Sequence, residues 1–254
     1  MKSKIYITGS SGFIGFHTAK KLLEKGLKVH GFDSMNNYYD VKIKKDRLKI
    51  LTKYKNFSFT KGLLENKKLL NKSILKFSPS FIIHLAAQAG VRYSIEKPDE
   101  YLNSNILGTF NILNIANKIK IKHLIIGSSS SVYGANEKFP YREIDKTDHQ
   151  LSFYAATKKA AENITHSYSH LHDIPVTMFR FFTVYGPWGR PDMALFLFTK
   201  NIINNKPIKI FNNGEMIRDF TYIDDIVDGI IKALKNPKKK LPFKIWKNKK
   251  NPSN

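Results

Sequence analysis

Residues 4–8 form a short apolar run that reads as a buried strand, and Phe13, Ile14, Ala19, Leu22 and Leu23 then recur at helical spacing over 13–25 until Gly26 ends the run. A second strand at 27–32 leads into Asp33. Further strands are predicted at 57–60, 80–85, 122–127 and 175–180, with helices over 65–76, 98–117 and 152–172 between them. Parallel neighbours need crossover connections, so strands alternating with helices imply an α/β fold built on a doubly wound parallel sheet. Past residue 185 the pattern loosens into a helix over 194–205, short strands at 207–211 and 218–222, and a last helix at 223–235. These elements suggest a main domain over 1–180, a small partial substrate lobe over 181–235, and a tail over 236–254. The tail is rich in lysine, lacks a periodic apolar face and is expected to be disordered.

Composition narrows the picture without redirecting it. With 254 residues, 42% of them hydrophobic, the chain can bury one sizeable core and a small second lobe. Its start is too short for a signal sequence and no apolar run is long enough to span a bilayer, so a soluble cytoplasmic protein with no membrane partner is expected. The absence of cysteine removes disulfides, thiolate chemistry and cysteine-bound metals. A net charge of +23 raises the question of nucleic acid, but the lysines are scattered and no recognition motif lies among them. They read as a solvated surface that also attracts anionic substrates, and no nucleic-acid partner is expected.

The candidate chemistry begins between the first strand and first helix. Gly9, Gly12 and Gly15 permit a tight turn there and let backbone amides approach a pyrophosphate at the helix N-terminus, with Phe13 and Ile14 in the same motif. Asp33, just past the second strand, stands where a carboxylate accepts bonds from ribose hydroxyls and repels a 2′-phosphate, which favours NAD over NADP. Each residue has a plainer reading, as a turn glycine or a turn aspartate. Tyr154 and Lys158 lie four apart and emerge on one face of the predicted helix. A free phenol is a poor base at neutral pH; a nearby ammonium and a cationic nicotinamide favour the phenolate, which can take a sugar hydroxyl's proton. Residues 128–131 are four serines at the carboxyl end of a strand, where open α/β sheets bind ligands, and one of them can hydrogen-bond the reacting oxygen.

Together these motifs resemble the extended short-chain dehydrogenase/reductases that act on nucleotide sugars, whose dinucleotide turn has the same GxxGxxG spacing on a Rossmann-type sheet. Within that group the chain is similar to the UDP-glucuronate 4-epimerases over nearly its whole length to about residue 235. The stretches carrying the likeness are Thr8–Gly15, Asn37–Asp40, His84–Ser94, Ser128–Gly134, Tyr154–Lys158, Arg180–Pro191 and Arg218–Asp225. The resemblance implies a catalytic trio of Ser129, Tyr154 and Lys158, a cofactor border that includes Leu85, Ala86, Ala87 and Asn105, and Arg218 on the substrate diphosphate. It aligns Thr183 and Arg190 with the substrate-facing stretch, and Arg190, with Arg92 as a second candidate, is suited to a sugar carboxylate or to bracing a loop. It also implies NAD as cofactor, a UDP-sugar as substrate and a homodimer formed through the helices near 98–117 and 152–172. Related dehydratases and decarboxylases place acidic groups where this chain has Ser130 and Ser131, which favours simple epimerisation at C4.

Two departures stand against that pattern. The third strand ends in Leu63 where the family has an aspartate for the adenine amino group, an expected loss of about 1–2 kcal/mol in NAD binding. The family also continues with further substrate-lobe elements after the last matched helix. A shortened, inactive NAD-binding remnant is therefore the alternative reading, beside a UDP-glucose 4-epimerase.

Overall fold

The computed structural model describes residues 3–210, 212–215 and 217–237. Six strands, β1 (Lys4–Thr8), β2 (Lys28–Asp33), β3 (Phe57–Lys61), β4 (Phe81–His84), β5 (His123–Ser129) and β6 (Val176–Phe181), form one sheet in the order β3-β2-β1-β4-β5-β6. Every pairing in it is parallel. Helices make the crossovers: α1 (Phe13–Glu24), α2 (Val41–Leu51), α3 (Lys67–Phe77), the short α4 (Tyr93–Glu96) and α5 (Pro98–Tyr101), α6 (Gly108–Lys118) and α7 (Phe153–His172). The register places Thr8 beside both Phe32 and His84, so the carboxyl ends of the central strands open at one level.

Strand side chains alternate between two cores. Ile5 and Ile7 join Phe16, Leu22 and Leu23 of α1 on one face, whereas Tyr6 joins Leu70, Ile74, Ile112 and Leu113 from α3 and α6 on the other. After β6 come β7 (Thr183–Tyr185), α8 (Ala194–Ile203), β8 (Phe220–Tyr222) and α9 (Ile223–Lys235), with β7 and β8 forming a separate parallel pair. From α9, Ile223, Val227, Ile230, Ile231 and Leu234 pack into the core of α1.

The structure departs from the sequence pattern in several elements. Residues 207–210, expected as part of a strand over 207–211, belong to no strand, while 211 lies outside the described residues. The helix expected over 98–117 contains a π-helical turn, Leu102–Leu107, between α5 and α6. Helix α2 was not predicted because its buried face is Lys44, Arg47 and Leu51, cations standing where an apolar stripe is sought. Helix α8 buries none of its residues and leaves Leu195, Leu197, Ile202 and Ile203 exposed. Of the expected disordered tail, 238–254 lies outside the described residues. Among those described, no helix is long and apolar enough to cross a membrane.

Candidate functional site

A cavity of about 1290 Å³ opens over the carboxyl ends of β1, β2, β4 and β5 and runs to the β7–β8 pair. The glycine turn forms one wall. Gly9 has φ +74° and donates its N–H to the Phe32 carbonyl at 2.7 Å, while Gly12 caps α1 and donates to the Gly9 carbonyl at 3.0 Å. Side chains have no room here: a Cβ on Gly9 would stand 2.7 Å from the Ala86 nitrogen, and one on Gly15 would stand 2.0 Å from the Gly9 oxygen. The result is a backbone cradle at a helix N-terminus, shaped for a diphosphate. Asp33 closes the turn from β2, accepting the Ser11 N–H at 2.9 Å and the Met35 N–H at 2.8 Å, and its carboxylate still lines the cavity. Residues, charge and cradle therefore fit a dinucleotide with a free ribose 2′-hydroxyl.

Tyr154 and Lys158 enter from the first turns of α7, where the Ser152 hydroxyl caps the helix by accepting the Ala155 N–H. Burial pushes the Tyr154 phenol above its ordinary value, while the Ser129 hydroxyl and the Arg190 guanidinium pull it down. The expected acidifying neighbour was Lys158. Its ammonium instead donates to the Gly127 carbonyl at 2.6 Å, and burial, opposed by Glu162, brings it down to about 8. Glu162, one turn further along α7, accepts the Ser128 hydroxyl at 2.6 Å and both arms of Arg180 at 3.0 and 2.9 Å. That fixes the strand end carrying Ser129.

Beneath the site a buried relay joins the cofactor wall to α7. The Thr109 hydroxyl donates to the Asn105 carbonyl at 2.6 Å, so His84 Nε2, 3.1 Å away, must be its donor. His84 Nδ1 then accepts from the Thr8 hydroxyl at 2.7 Å, and Thr8 in turn accepts the Ala86 N–H. Burial, with a smaller push from Lys158, lowers His84 to about 3, in keeping with this neutral tautomer. Asn105 pairs with the Gln88 backbone at 2.8 and 3.0 Å and donates to the Thr157 hydroxyl at 3.1 Å.

The cavity thus brings together Gly9, Gly12, Phe13, Ile14, Gly15, Asp33, Leu85, Ala86, Ala87, Ser129, Tyr154, Lys158, Thr183, Arg190 and Arg218. Two expected members do not line it: Asn105 is buried behind Gln88, and Arg92 lies exposed at the start of α4. Arg190 is bound through both arms to Asp192, at 3.1 and 2.5 Å. Leu63, two residues past the end of β3, lines the cavity with 52% of its surface exposed. Sequence reasoning missed Lys44, which bonds Asn36 eight residues back, and it missed Gln88, Glu162 and the His84 relay, whose main partners lie farther along the chain. The His84–Ser94 stretch and the lysine-arginine spacing in 44–47 were the available signals. No group of three or more potential metal ligands occurs among the described residues.

Comparison with known proteins bears on this geometry. Residues 5–247 match the model of the NAD dependent epimerase/dehydratase family. Protein CapI of Staphylococcus aureus is 55% identical over 243 residues, 96% of this chain and 72% of that protein. A probable UDP-glucuronate 4-epimerase of Rhizobium meliloti is 53% identical over 226 residues, covering 89% of this chain and 66% of its own length. The crystal structure of UDP-glucuronic acid 4-epimerase from Bacillus cereus, in complex with UDP-glucuronic acid and NAD, superposes with a TM-score of 0.88 at 35% identity. That match spans 94% of this chain and 75% of the other.

Proposed function

Because the chain belongs to the NAD dependent epimerase/dehydratase family, we propose that it inverts C4 of a UDP-sugar, converting UDP-glucuronate to UDP-galacturonate reversibly. The observation that carries this reading is the convergence of the glycine cradle, Asp33, Ser129, Tyr154 and Lys158 on one cavity. UDP-glucuronate is preferred because relatives of that name match both the sequence and the fold.

In the mechanism, the Tyr154 phenolate takes the C4 hydroxyl proton and later returns it. Ser129 donates a hydrogen bond to the same oxygen and, with Arg190, draws the phenol toward its ionised form. Lys158, braced on the Gly127 carbonyl, would hold its positive charge on the cavity wall toward a bound cofactor. NAD, when bound, supplies the two-electron acceptor and donor at C4, held by the turn at Gly9–Gly15 and by Asp33. Residues 1–180 form the cofactor domain and 181–235 the substrate lobe in this reading. There Arg218 meets the diphosphate and Thr183 the sugar, Asp192 already occupying the Arg190 fork. Asn105 acts through Gln88, by its paired bonds to that backbone.

The protein works in the cytoplasm as a homodimer in this proposal. Support for the dimer comes from an apolar hollow between the α5–α6 segment and α7, lined by Leu102, Ile106, Leu107, Phe110, Ile164 and Tyr168. Sedimentation at micromolar concentration checks the dimer. The activity is tested by incubating the protein with NAD and UDP-glucuronate, beside UDP-glucose, and separating the C4 epimers. Conversion of UDP-glucose alone would shift the substrate, and conversion of neither would leave an inactive nucleotide-binding chain.

A further inference from the structure

Arg47, the seventh residue of α2, is fully buried. A guanidinium removed from water ordinarily requires a carboxylate, because desolvating an unpaired charge costs several kcal/mol. Among the described residues Arg47 has no carboxylate partner; all four of its terminal N–H groups are used on other acceptors. Nη1 donates to the Ser11 carbonyl at 2.9 Å and the Tyr39 hydroxyl at 2.8 Å, and Nη2 donates to the Trp188 and Gly189 carbonyls at 2.6 and 3.2 Å. Its Nε is buried and has no partner among the described residues. A charge kept in so unfavourable a place without a counter-ion is explained by the arrangement that it specifies.

The acceptors identify that arrangement. Ser11 lies inside the glycine turn, with its own N–H on Asp33. Trp188 and Gly189 immediately precede Arg190, in a segment bent by left-handed backbone at Trp188 (φ +60°) and by Gly186 (φ +142°). The same segment has a second tether to the cofactor side, His17 Nε2 of α1 at 2.8 Å from the Pro187 carbonyl. Arg190 lines the cavity beside Tyr154. One side chain therefore bridges the wall that faces a dinucleotide and the backbone that presents the substrate side.

We infer that Arg47 is a positioning residue whose four-way grip makes the glycine turn and the 186–190 segment shift as one body, so that dinucleotide and UDP-sugar bind cooperatively. The inference rests on the UDP-sugar reading of the cavity. Any loosening of the turn is transmitted to Arg190, and a ligand that steadies the 186–190 segment steadies the turn.

The test is the rate at which the holoenzyme releases NAD, followed by exchange against labelled NAD, with and without saturating UDP. In the wild-type protein UDP is expected to slow release by about tenfold, within the usual range of coupling between sites. Arg47→Lys keeps the charge but offers three donors from one nitrogen for four acceptors, and the effect of UDP should fall below about twofold. Trp188→Gly frees the backbone of the gripped segment and removes only the edge contact of the Trp188 ring with Phe16, and the same loss is expected. Retention of wild-type slowing in both folded variants overturns the inference, as does a wild-type protein that binds UDP in calorimetry yet releases NAD at an unchanged rate. Absence of UDP binding to the wild type overturns both the inference and the substrate reading.

Discussion

Adding one methyl group at two glycines should change stability in opposite directions. At Gly9 the backbone has φ +74°, which costs an L-residue about 1–2 kcal/mol. The new Cβ of Gly9→Ala would also meet the Ala86 nitrogen at 2.7 Å and the Leu85 carbonyl carbon at 2.9 Å. These are backbone atoms that cannot swing aside, so overpacking adds about 1–3 kcal/mol and the total reaches about 2–5 kcal/mol. Relief requires the 85–87 segment to retreat, and because that segment lines the cavity, NAD affinity should fall by about tenfold. Gly229, inside α9, is the converse: a Cβ there finds nothing nearer than a Phe179 ring carbon at 3.9 Å. Gly229→Ala should stabilise the protein by about 0.5–1 kcal/mol, chiefly by reducing the freedom of the unfolded chain. Urea denaturation with a constant slope gives both values, and calorimetric titration gives NAD affinity. A Gly9→Ala protein within about 0.5 kcal/mol of wild type, or a destabilised Gly229→Ala protein, would refute the steric reasoning.

Other substitutions examine the chemistry. Tyr154→Phe should lower epimer formation by about 10³-fold while leaving NAD titration within threefold of wild type, and substantial residual turnover would remove the phenol from its proposed role. Glu162→Gln takes away the charge that holds Lys158 up near 8, so the lysine should lose its proton at lower pH and the alkaline limb of the rate profile should move toward neutrality. The same change strands Arg180 and should cost about 3 kcal/mol in denaturation experiments; an unmoved alkaline limb would count against the coupling. Leu63→Asp supplies the missing adenine acceptor and should tighten NAD binding by about fivefold to tenfold, an effect absent in calorimetry if Leu63 lies off the adenine.

The parts legible in the sequence were those whose chemistry is local. Gly9 and Gly12 announce a turn because they lie between a strand and a helix, with Gly15 in the first turn of that helix, and Tyr154 and Lys158 stand one turn apart on α7. The sheet was legible for a similar reason, since its apolar strands alternate with amphipathic helices. What escaped depends on partners distant along the chain. Arg47 answers to Ser11 and to Gly189, 36 and 142 residues away, and nothing near it in sequence marks it as buried. Glu162 and Arg180, separated by 18 residues, look like ordinary surface charges until β6 and α7 lie side by side. The influences that oppose burial and lower the Tyr154 phenol are the Ser129 hydroxyl and, after it, Arg190 at the end of a loop, rather than the lysine whose spacing invited the assignment.

The packing of α9 against α1 sets the order in which this chain can mature on the ribosome. The apolar side of α1 emerges early, yet its covering residues, from Ile223 to Leu234, are translated about 200 residues later, a wait on the order of 10–40 s at ordinary elongation rates. During that interval the nascent polypeptide offers a greasy, unshielded flank, a natural foothold for chaperones and a hazard at high expression. Translation that stalls before Ile223 would release a product with that flank bare, and quality-control proteases could recognise it without sensing the catalytic centre at all.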